Sequence, residues 1–180
     1  MARRTSKKWW SEVKNDSHLF LDWLQDQYHG EVTAHRRILD FARTYVPPES
    51  PWRGVLETIA AQELTHAAWV GELLEARGLT AKVLNKDERY WERTLPAIDS
   101  FESGAAVAAH AEQMRLERIE VIANDPTAPV DARSVFKRIL PQERFHARAF
   151  SRMAGHEAMA QALAKHELGM EAIGLIPASL

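Results

Sequence analysis

The sequence predicts an all-α fold in which four long antiparallel helices form a bundle and a short fifth helix follows near the C-terminus. Apolar residues recur at three- and four-residue intervals in four long segments, which is the period of an amphipathic helix. Prolines and glycines separate these segments, for example at Pro47-Pro48 and Gly155. Residues 79–98 are only weakly periodic. That stretch is too long for a tight turn, so it predicts a long crossover between the second and third helices.

The first two helices have recognisable start and stop signals. Ser17 can cap a helix that runs to about Val46 and is stopped by Pro47-Pro48. Ser50 precedes Pro51, and proline suits the first helical position, so the second helix is expected from there to Gly78. The predicted inward stripes are Leu24, Tyr28, Glu31, Ile38 and Ala42 on the first helix, and Leu56, Ile59, Glu63, His66, Val70 and Leu73 on the second.

The third helix is expected from a capping box at Asp99 and Glu102 to about Ala123. Its inward stripe is Ala105, Ala109, Glu112, Leu116 and Ile119.

The fourth helix is expected to be capped by Asp131 and kinked at Pro141, because proline removes a backbone donor. Gly155 then separates off a fifth helix over about residues 156–172. The inward stripe of the fourth helix is Phe136, Ile139, Glu143, His146, Phe150 and Met153.

The bulk composition limits the possible functions. The formal charge of −2 gives no general attraction to nucleic acid or anionic lipid. The absence of cysteine excludes disulfides, thiolate zinc sites, iron–sulfur clusters and rubredoxin-type iron centres. No apolar run reaches the roughly 20 residues that cross a bilayer. We therefore expect a cytoplasmic protein that binds neither nucleic acid nor membrane.

The basic start of the chain divides the sequence into two parts. Residues 1–16 are expected to be a solvated basic tail whose Trp9 and Trp10 dock on the bundle. Residues 17–180 are expected to form one domain, which is long enough for a substantial core.

Two Glu-x-x-His motifs carry the chemistry of the chain. They are Glu63-Leu64-Thr65-His66 and Glu143-Arg144-Phe145-His146. Residues three apart on a helix share a face, so each pair can bind one cation. Glu31 lies 32 residues before Glu63, and Glu112 lies 31 residues before Glu143. The number of Glu-x-x-His pairs is little above the number expected by chance. All six residues also fall on inward stripes, however, and this register predicts a site for two metal ions.

The charges of these residues also favour metal. Four buried glutamates would repel one another, and burying an unpaired charge costs several kcal/mol. Two divalent cations would balance them exactly in formal charge if the histidines stay neutral, and the inward stripes contain no arginine or lysine. Carboxylate and imidazole ligands suit iron, manganese or a mixed pair.

The ligand of the third helix has alternatives. Glu112 fits the repeat best, whereas His110, Glu117 and Glu120 lie nearby and break it. An inward histidine such as His110 or His35 is more often a packing or hydrogen-bonding residue than a ligand.

The chain resembles a ferritin-like di-iron carboxylate protein of the rubrerythrin and bacterioferritin kind over residues 17–154. The matching segments are Gly30-Glu31 to Arg37, Gln62 to His66, Ala111-Glu112-Gln113 and Gln142 to His146. The resemblance implies that Glu63 and Glu143 bridge or chelate two metals, that His66 and His146 each cap one, and that Glu31 and Glu112 are terminal or bridging ligands. It also implies an oxidoreductase that activates dioxygen or peroxide at a Glu4His2 site.

Three departures from the family pattern matter. Arg115 stands where rubrerythrins usually carry a second glutamate on the third helix. The cysteine-ligated rubredoxin module is missing, so electrons would come from a separate donor protein. Leu64 stands where haem-binding bacterioferritins have methionine, so no haem is expected.

Several functions remain open from the sequence. The resemblance also covers ferritin-type ferroxidases that store iron and di-iron oxygenases or hydroxylases acting on a small organic substrate. A non-catalytic bundle whose charged stripe is structural is the alternative outside these metal proteins. A homodimer is the expected assembly, whereas iron storage would require a large cage.

Overall fold

The computed structural model describes residues 4–175, and these form an all-α structure. This confirms the predicted all-α class, and no β-strand occurs among the described residues. None of the helices in this part of the chain is long and apolar enough to cross a membrane. The elements are α1 (Ser6–Val13), α2 (Ser17–Tyr45), α3 (Pro51–Glu75), α4 (Arg89–Thr94), a 3-10 helix (Leu95–Ala97), α5 (Phe101–Asn124) and α6 (Val130–Ala172).

The described residues divide into two compact units. The first unit comprises residues 11–85 and 123–139, and so contains α2, α3 and the start of α6. The second unit comprises residues 4–10, 86–122 and 140–175, and so contains α4, nearly all of α5 and the rest of α6.

In the first unit α2 and α3 pack antiparallel. His35 Nδ1 lies 2.7 Å from the carbonyl oxygen of Ala60, and Gly71, further along α3, faces Tyr28, which is earlier on α2. A Cβ atom at Gly71 would lie 3.5 Å from Tyr28 Cε2. Glycine therefore lets the two helices approach closely at this end.

The helix starts of the first unit agree with the sequence to within one residue. Ser50 caps α3 and Pro51 takes the first helical position. Asp16, rather than the expected Ser17, caps α2, because its side chain accepts from the backbone N–H groups of His18 and Leu19. A carboxylate at this position also interacts favourably with the helix dipole.

The predicted inward stripes are buried almost without exception. Of the 22 positions on the four stripes, Tyr28 alone is partly exposed. Glu31, Glu63, His66, Glu143 and His146 are each 0% exposed.

The crossover is more ordered than its weak periodicity indicated. It contains α4 and the 3-10 helix, neither of which the sequence predicted. Its first part belongs to the first unit, where the Leu84 N–H donates to His29 Nδ1 at 3.1 Å and the Gln25 amide donates to the Lys82 carbonyl at 2.7 Å. Polar groups of α2 thus hold a segment that has little apolar periodicity of its own.

The start of α5 corrects the predicted capping box by one residue. The box is formed by Ser100 and Ser103, not by Asp99 and Glu102. Ser100 Oγ accepts from the Ser103 N–H, and Ser103 Oγ accepts from the Ser100 N–H. A serine at the third helical position can accept the hydrogen bond from the N-cap N–H that was expected of a glutamate.

The long α6 differs from expectation at its start. It begins at Val130, so Asp131 lies inside the first turn instead of capping it. The helix continues through Pro141, and the residue with non-helical dihedral angles is Gly155 (φ 72°, ψ 170°). Glycine tolerates this positive φ, which confirms the predicted break before residues 156–172.

The N-terminal segment contains a helix that was not expected. Residues 6–13 form α1, and Trp9 and Trp10 are 7% and 2% exposed. In the second unit, the Arg118 guanidinium of α5 lies 5.1 Å from the centre of a Trp9 ring. Residues 1–3 of the expected tail lie outside the described residues.

Candidate metal centre

The first unit contains a buried cluster of two carboxylates and one imidazole. Glu31 comes from α2, and Glu63 and His66 come from one face of α3. Each offers one ligand atom, and these three atoms lie within 4.8 Å of one another. His66 Nδ1 is 3.7 Å from Glu31 Oε2 and 4.0 Å from Glu63 Oε2.

The local sequence explains this arrangement. The three-residue interval stacks Glu63 and His66 on the same side of α3, and antiparallel packing places Glu31 opposite them. The Gln27 side-chain amide, one turn earlier on α2, donates to Glu31 Oε1 at 2.5 Å. This hydrogen bond holds one carboxylate oxygen and favours one orientation of the Glu31 side chain.

The second unit contains a cluster with the same donors. Glu112 comes from α5, and Glu143 and His146 come from α6. Their exposed fractions are 6%, 0% and 0%, and one ligand atom from each lies within 4.8 Å of the others. The Glu-x-x-His interval again places two donors on one helical face, and a second helix supplies the remaining carboxylate.

An arginine lies beside this second cluster, although the predicted inward stripes themselves contain no arginine or lysine. Arg115 Nη1 lies 3.8 Å from Glu143 Oε1, and the Arg115 side chain is 18% exposed. The signal was present in the sequence, because Arg115 lies three residues after Glu112 and so shares its face. A long arginine side chain can bury its stem while its charged head reaches a carboxylate.

The alternative ligands of the third helix have other roles. His110 Nε2 donates to the Met159 carbonyl at 2.9 Å. Glu117 and Glu120 belong to neither buried group of candidate ligands among the described residues. Burial, followed by the charge of Glu120, raises the pKa of Glu117, and Glu120 accepts from Arg144 at 2.8 Å. Glu112 is therefore the α5 carboxylate that joins Glu143 and His146.

His35 is a packing residue. Its hydrogen-bonding contact with the Ala60 carbonyl links α2 to α3.

An aromatic side chain lies next to the first cluster. The rings of Trp69 and His66 are 5.8 Å apart between centres, and the Arg138 guanidinium lies 4.1 Å from the centre of a Trp69 ring. Trp69 thus packs between a candidate ligand and a cation.

The donor chemistry of each cluster fits a transition-metal ion. Two carboxylates and a neutral imidazole bind iron or manganese well, whereas calcium and magnesium prefer oxygen ligands alone. Burial of two carboxylates so close together is costly unless a cation offsets their charge. A divalent ion would supply that charge in either unit.

The comparisons with known proteins agree with this chemistry. The protein-family model described as Rubrerythrin matches residues 22–154, which is about three quarters of the chain and includes all six candidate ligands. The chain matches no curated protein and no solved structure.

Proposed function

The chain belongs to the rubrerythrin family of ferritin-like di-iron proteins, and on this premise we propose that each of its two clusters binds one metal ion. Glu31, Glu63 and His66 would hold one ion, and Glu112, Glu143 and His146 would hold the other. The single observation that carries the proposal is the occurrence, in each unit, of two buried carboxylates and an imidazole with ligand atoms within 4.8 Å.

We propose that the metal-loaded protein, with these four glutamates and two histidines as ligands, is an oxidoreductase that activates dioxygen or peroxide. Bound iron would supply the electrons for that reaction, and manganese or a mixed pair would fit the same ligands. The chain itself supplies the negative charge that favours the oxidised metal and an apolar surrounding. Ile59, Val70, Ile139 and Phe150 flank the ligands along their helices and are each 0% exposed. They would exclude water from the reacting atoms.

We also propose a separate electron donor protein, because the sequence has no cysteine for a rubredoxin module. Dioxygen, peroxide or a small organic molecule would be the substrate. A homodimer and the absence of haem remain predictions for the purified protein.

Anaerobic loading with ferrous iron tests the proposal. We expect about two iron ions per chain by metal analysis, and Mössbauer and optical changes on exposure to dioxygen or to peroxide. A chain that retains less than about one transition metal after loading would contradict it. Light scattering on the same sample separates an oxidoreductase from an iron-storage protein, since storage requires a cage of many subunits.

A matched pair of variants on α5 assigns the ligand. Glu112→Gln should lower the iron content, because an amide is a poor ligand for a hard cation. Glu117→Gln changes a glutamate on the same helix outside the cluster and should leave the iron content unchanged. Equal iron contents in these two variants would remove Glu112 from the proposed site.

A further inference from the structure

The second unit also contains a group of ionisable residues that includes none of the proposed metal ligands. Tyr90 of α4 contacts His166, in the last part of α6, with 2.8 Å between the phenolic oxygen and His166 Nδ1. The imidazole of His166 stacks on that of His110 of α5, with ring centres 4.8 Å apart and planes 16° apart. Three helices therefore meet at one tyrosine and two histidines.

The proton positions in this group follow from the chemistry of the partners. The Met159 carbonyl can only accept, so His110 Nε2 carries the hydrogen in their 2.9 Å bond. Burial, followed by the neighbouring His110, lowers the pKa of His166 to about 4. Burial, followed by the charge of Glu112, raises the pKa of Tyr90. At neutral pH a neutral phenol and a neutral imidazole therefore share this hydrogen bond, and the phenolic O–H donates in the His166 tautomer that carries its hydrogen on Nε2.

The packing around Tyr90 fixes this hydrogen bond away from water. Tyr90 is 5% exposed and clusters with Ala111, Met170 and Leu175. A Cβ atom on Gly169 would lie 2.7 Å from Tyr90 Cδ2, so glycine is required for the ring to lie where it does. The ring has little room to rotate away from His166.

We propose that Tyr90 is a redox-active residue that loses its phenolic proton to His166 as it loses an electron. The O–H bond of Tyr90 breaks, the proton binds His166 Nδ1, and one electron passes to an oxidised transition-metal ion held by the Glu112 cluster. The products are a neutral phenoxyl radical on Tyr90 and an imidazolium at His166. When a donor returns the electron, the proton returns to the phenolic oxygen.

The geometry favours coupled loss of the electron and the proton. Removal of an electron alone would leave a cation on a buried ring, and burial of an unpaired charge is costly. The preformed hydrogen bond gives the proton a base within reach. Ala111, in the same buried cluster as Tyr90, directly precedes the candidate ligand Glu112 on α5 and so connects this site to the proposed metal centre. Only the identity of the oxidant rests on the proposed function.

Photochemical oxidation of the full chain, purified without added metal, tests the redox role directly. With a photogenerated ruthenium(III) tris-bipyridine complex as the oxidant, we expect a tyrosyl radical in the electron paramagnetic resonance spectrum. Tyr90→Phe should abolish it, whereas Tyr28→Phe and Tyr45→Phe, the variants of the two other tyrosines, should retain it. A tyrosyl signal of unchanged size in Tyr90→Phe would overturn the proposal, as would the absence of any tyrosyl signal in the unaltered chain.

Variants of the proton acceptor separate a redox role from a packing role. His166→Gln keeps a hydrogen-bonding side chain but removes the base, so the radical should decay about ten-fold faster, the factor that ~1.4 kcal/mol represents. The spectrum of this variant should also lose the hyperfine coupling between the radical and the exchangeable proton at His166, which is recognised because it disappears in deuterium oxide. His156→Gln, at an exposed histidine of the same segment, should change neither. An unchanged lifetime and coupling in His166→Gln would refute the transfer to His166.

An experiment on the iron-loaded chain tests the redox tyrosine separately from the proposed function. Exposure to dioxygen or peroxide should generate the same Tyr90 radical. A chain that binds no iron but forms the radical with ruthenium would contradict the proposed function and support the redox tyrosine. A chain that binds and oxidises iron without forming the radical would overturn the metal ion as the oxidant.

Discussion

The two units contain the same set of candidate ligands but surround them differently. In the first unit a neutral amide, Gln27, donates to Glu31. In the second unit a cation, Arg115, lies beside Glu143. The repeated spacing of the sequence thus reproduces the donors and not their partners. An amide orients a carboxylate, whereas a guanidinium also offsets part of its charge and competes with a metal ion.

The aromatic neighbours differ in the same way. Trp69, beside His66, has the Arg138 guanidinium over one of its rings. The π electrons of the ring attract the nearby cation, and the positive charge makes removal of an electron from the ring less favourable. Tyr90 instead has a neutral imidazole as its hydrogen-bond partner. Aromatic oxidation is therefore expected in the second unit and not in the first.

The largest expected effect is the loss of stabilisation by metal. A ligand at about 100 times its dissociation constant stabilises the folded state by ~2.7 kcal/mol. Glu63→Gln and Glu143→Gln should each remove much of the rise in Tm on anaerobic iron loading. Without metal, Glu63→Gln should be at least as stable as the unaltered chain, because a neutral amide replaces a buried carboxylate. Glu143→Gln also loses the ion pair with Arg115, which offsets that gain.

Thermal unfolding with and without ferrous iron measures both effects. The exposed Glu72 of α3 provides the control, since Glu72→Gln should leave the iron-dependent rise unchanged. An unchanged rise in Glu63→Gln or in Glu143→Gln would show that the corresponding unit binds no metal.

A pair of glycine variants gives the next largest difference. Gly169→Ala places a Cβ atom against the Tyr90 ring and 3.1 Å from Thr94 Cγ2, and such overpacking costs ~1–3 kcal/mol. Gly54→Ala, in α3, meets no atom within 4 Å and should stabilise by ~0.5–1 kcal/mol. Urea unfolding measures both, and a stable Gly169→Ala protein would show that the contact with Tyr90 relaxes easily.

Variants of Arg115 and Gln27, the partners of Glu143 and Glu31, should have smaller effects, and these effects should differ in metal affinity. Arg115→Met should destabilise the metal-free protein by ~1–2 kcal/mol, because Glu143 loses a charged partner. It should also tighten metal binding at the second cluster, since the Arg115 guanidinium then no longer competes with the metal ion. Gln27→Met should cost ~1 kcal/mol for one hydrogen bond without tightening metal binding. Urea unfolding and ferrous titrations check these results, and equal metal affinities in the unaltered chain and in Arg115→Met would contradict the competition.

Periodicity and register were enough to predict the helical class and the burial of the candidate ligands. Glu63 and His66 share a face through backbone geometry alone, and so do Glu143 and His146. The relative placement of the two residues in each pair could therefore be predicted without knowing which other helices pack against them. The same reasoning placed Glu31 and Glu112 on inward stripes, because the apolar residues around them fix which face is buried.

Partners between helices could not be predicted in the same way. The hydrogen bond from Tyr90 to His166 joins residues 76 apart in sequence, and nothing in the local pattern selects that pairing. α4 was missed because its six residues are too few to show a helical period. Arg115 was noted as a departure from the family pattern, but its contact with Glu143 joins two helices and could not be predicted from positions along one of them.

The smallest expected effect concerns the two serine caps. Ser50 in the first unit accepts one N–H bond at 3.3 Å, whereas Ser100 in the second exchanges two bonds with Ser103. Ser100→Ala should therefore cost ~1 kcal/mol and Ser50→Ala less. Glu102→Ala should cost only the weak interaction of a carboxylate with the helix dipole, about 0.3–1 kcal/mol. Urea unfolding would contradict the observed capping box if Glu102→Ala cost more than Ser100→Ala, because the box would then lie one residue earlier, as the sequence alone had indicated.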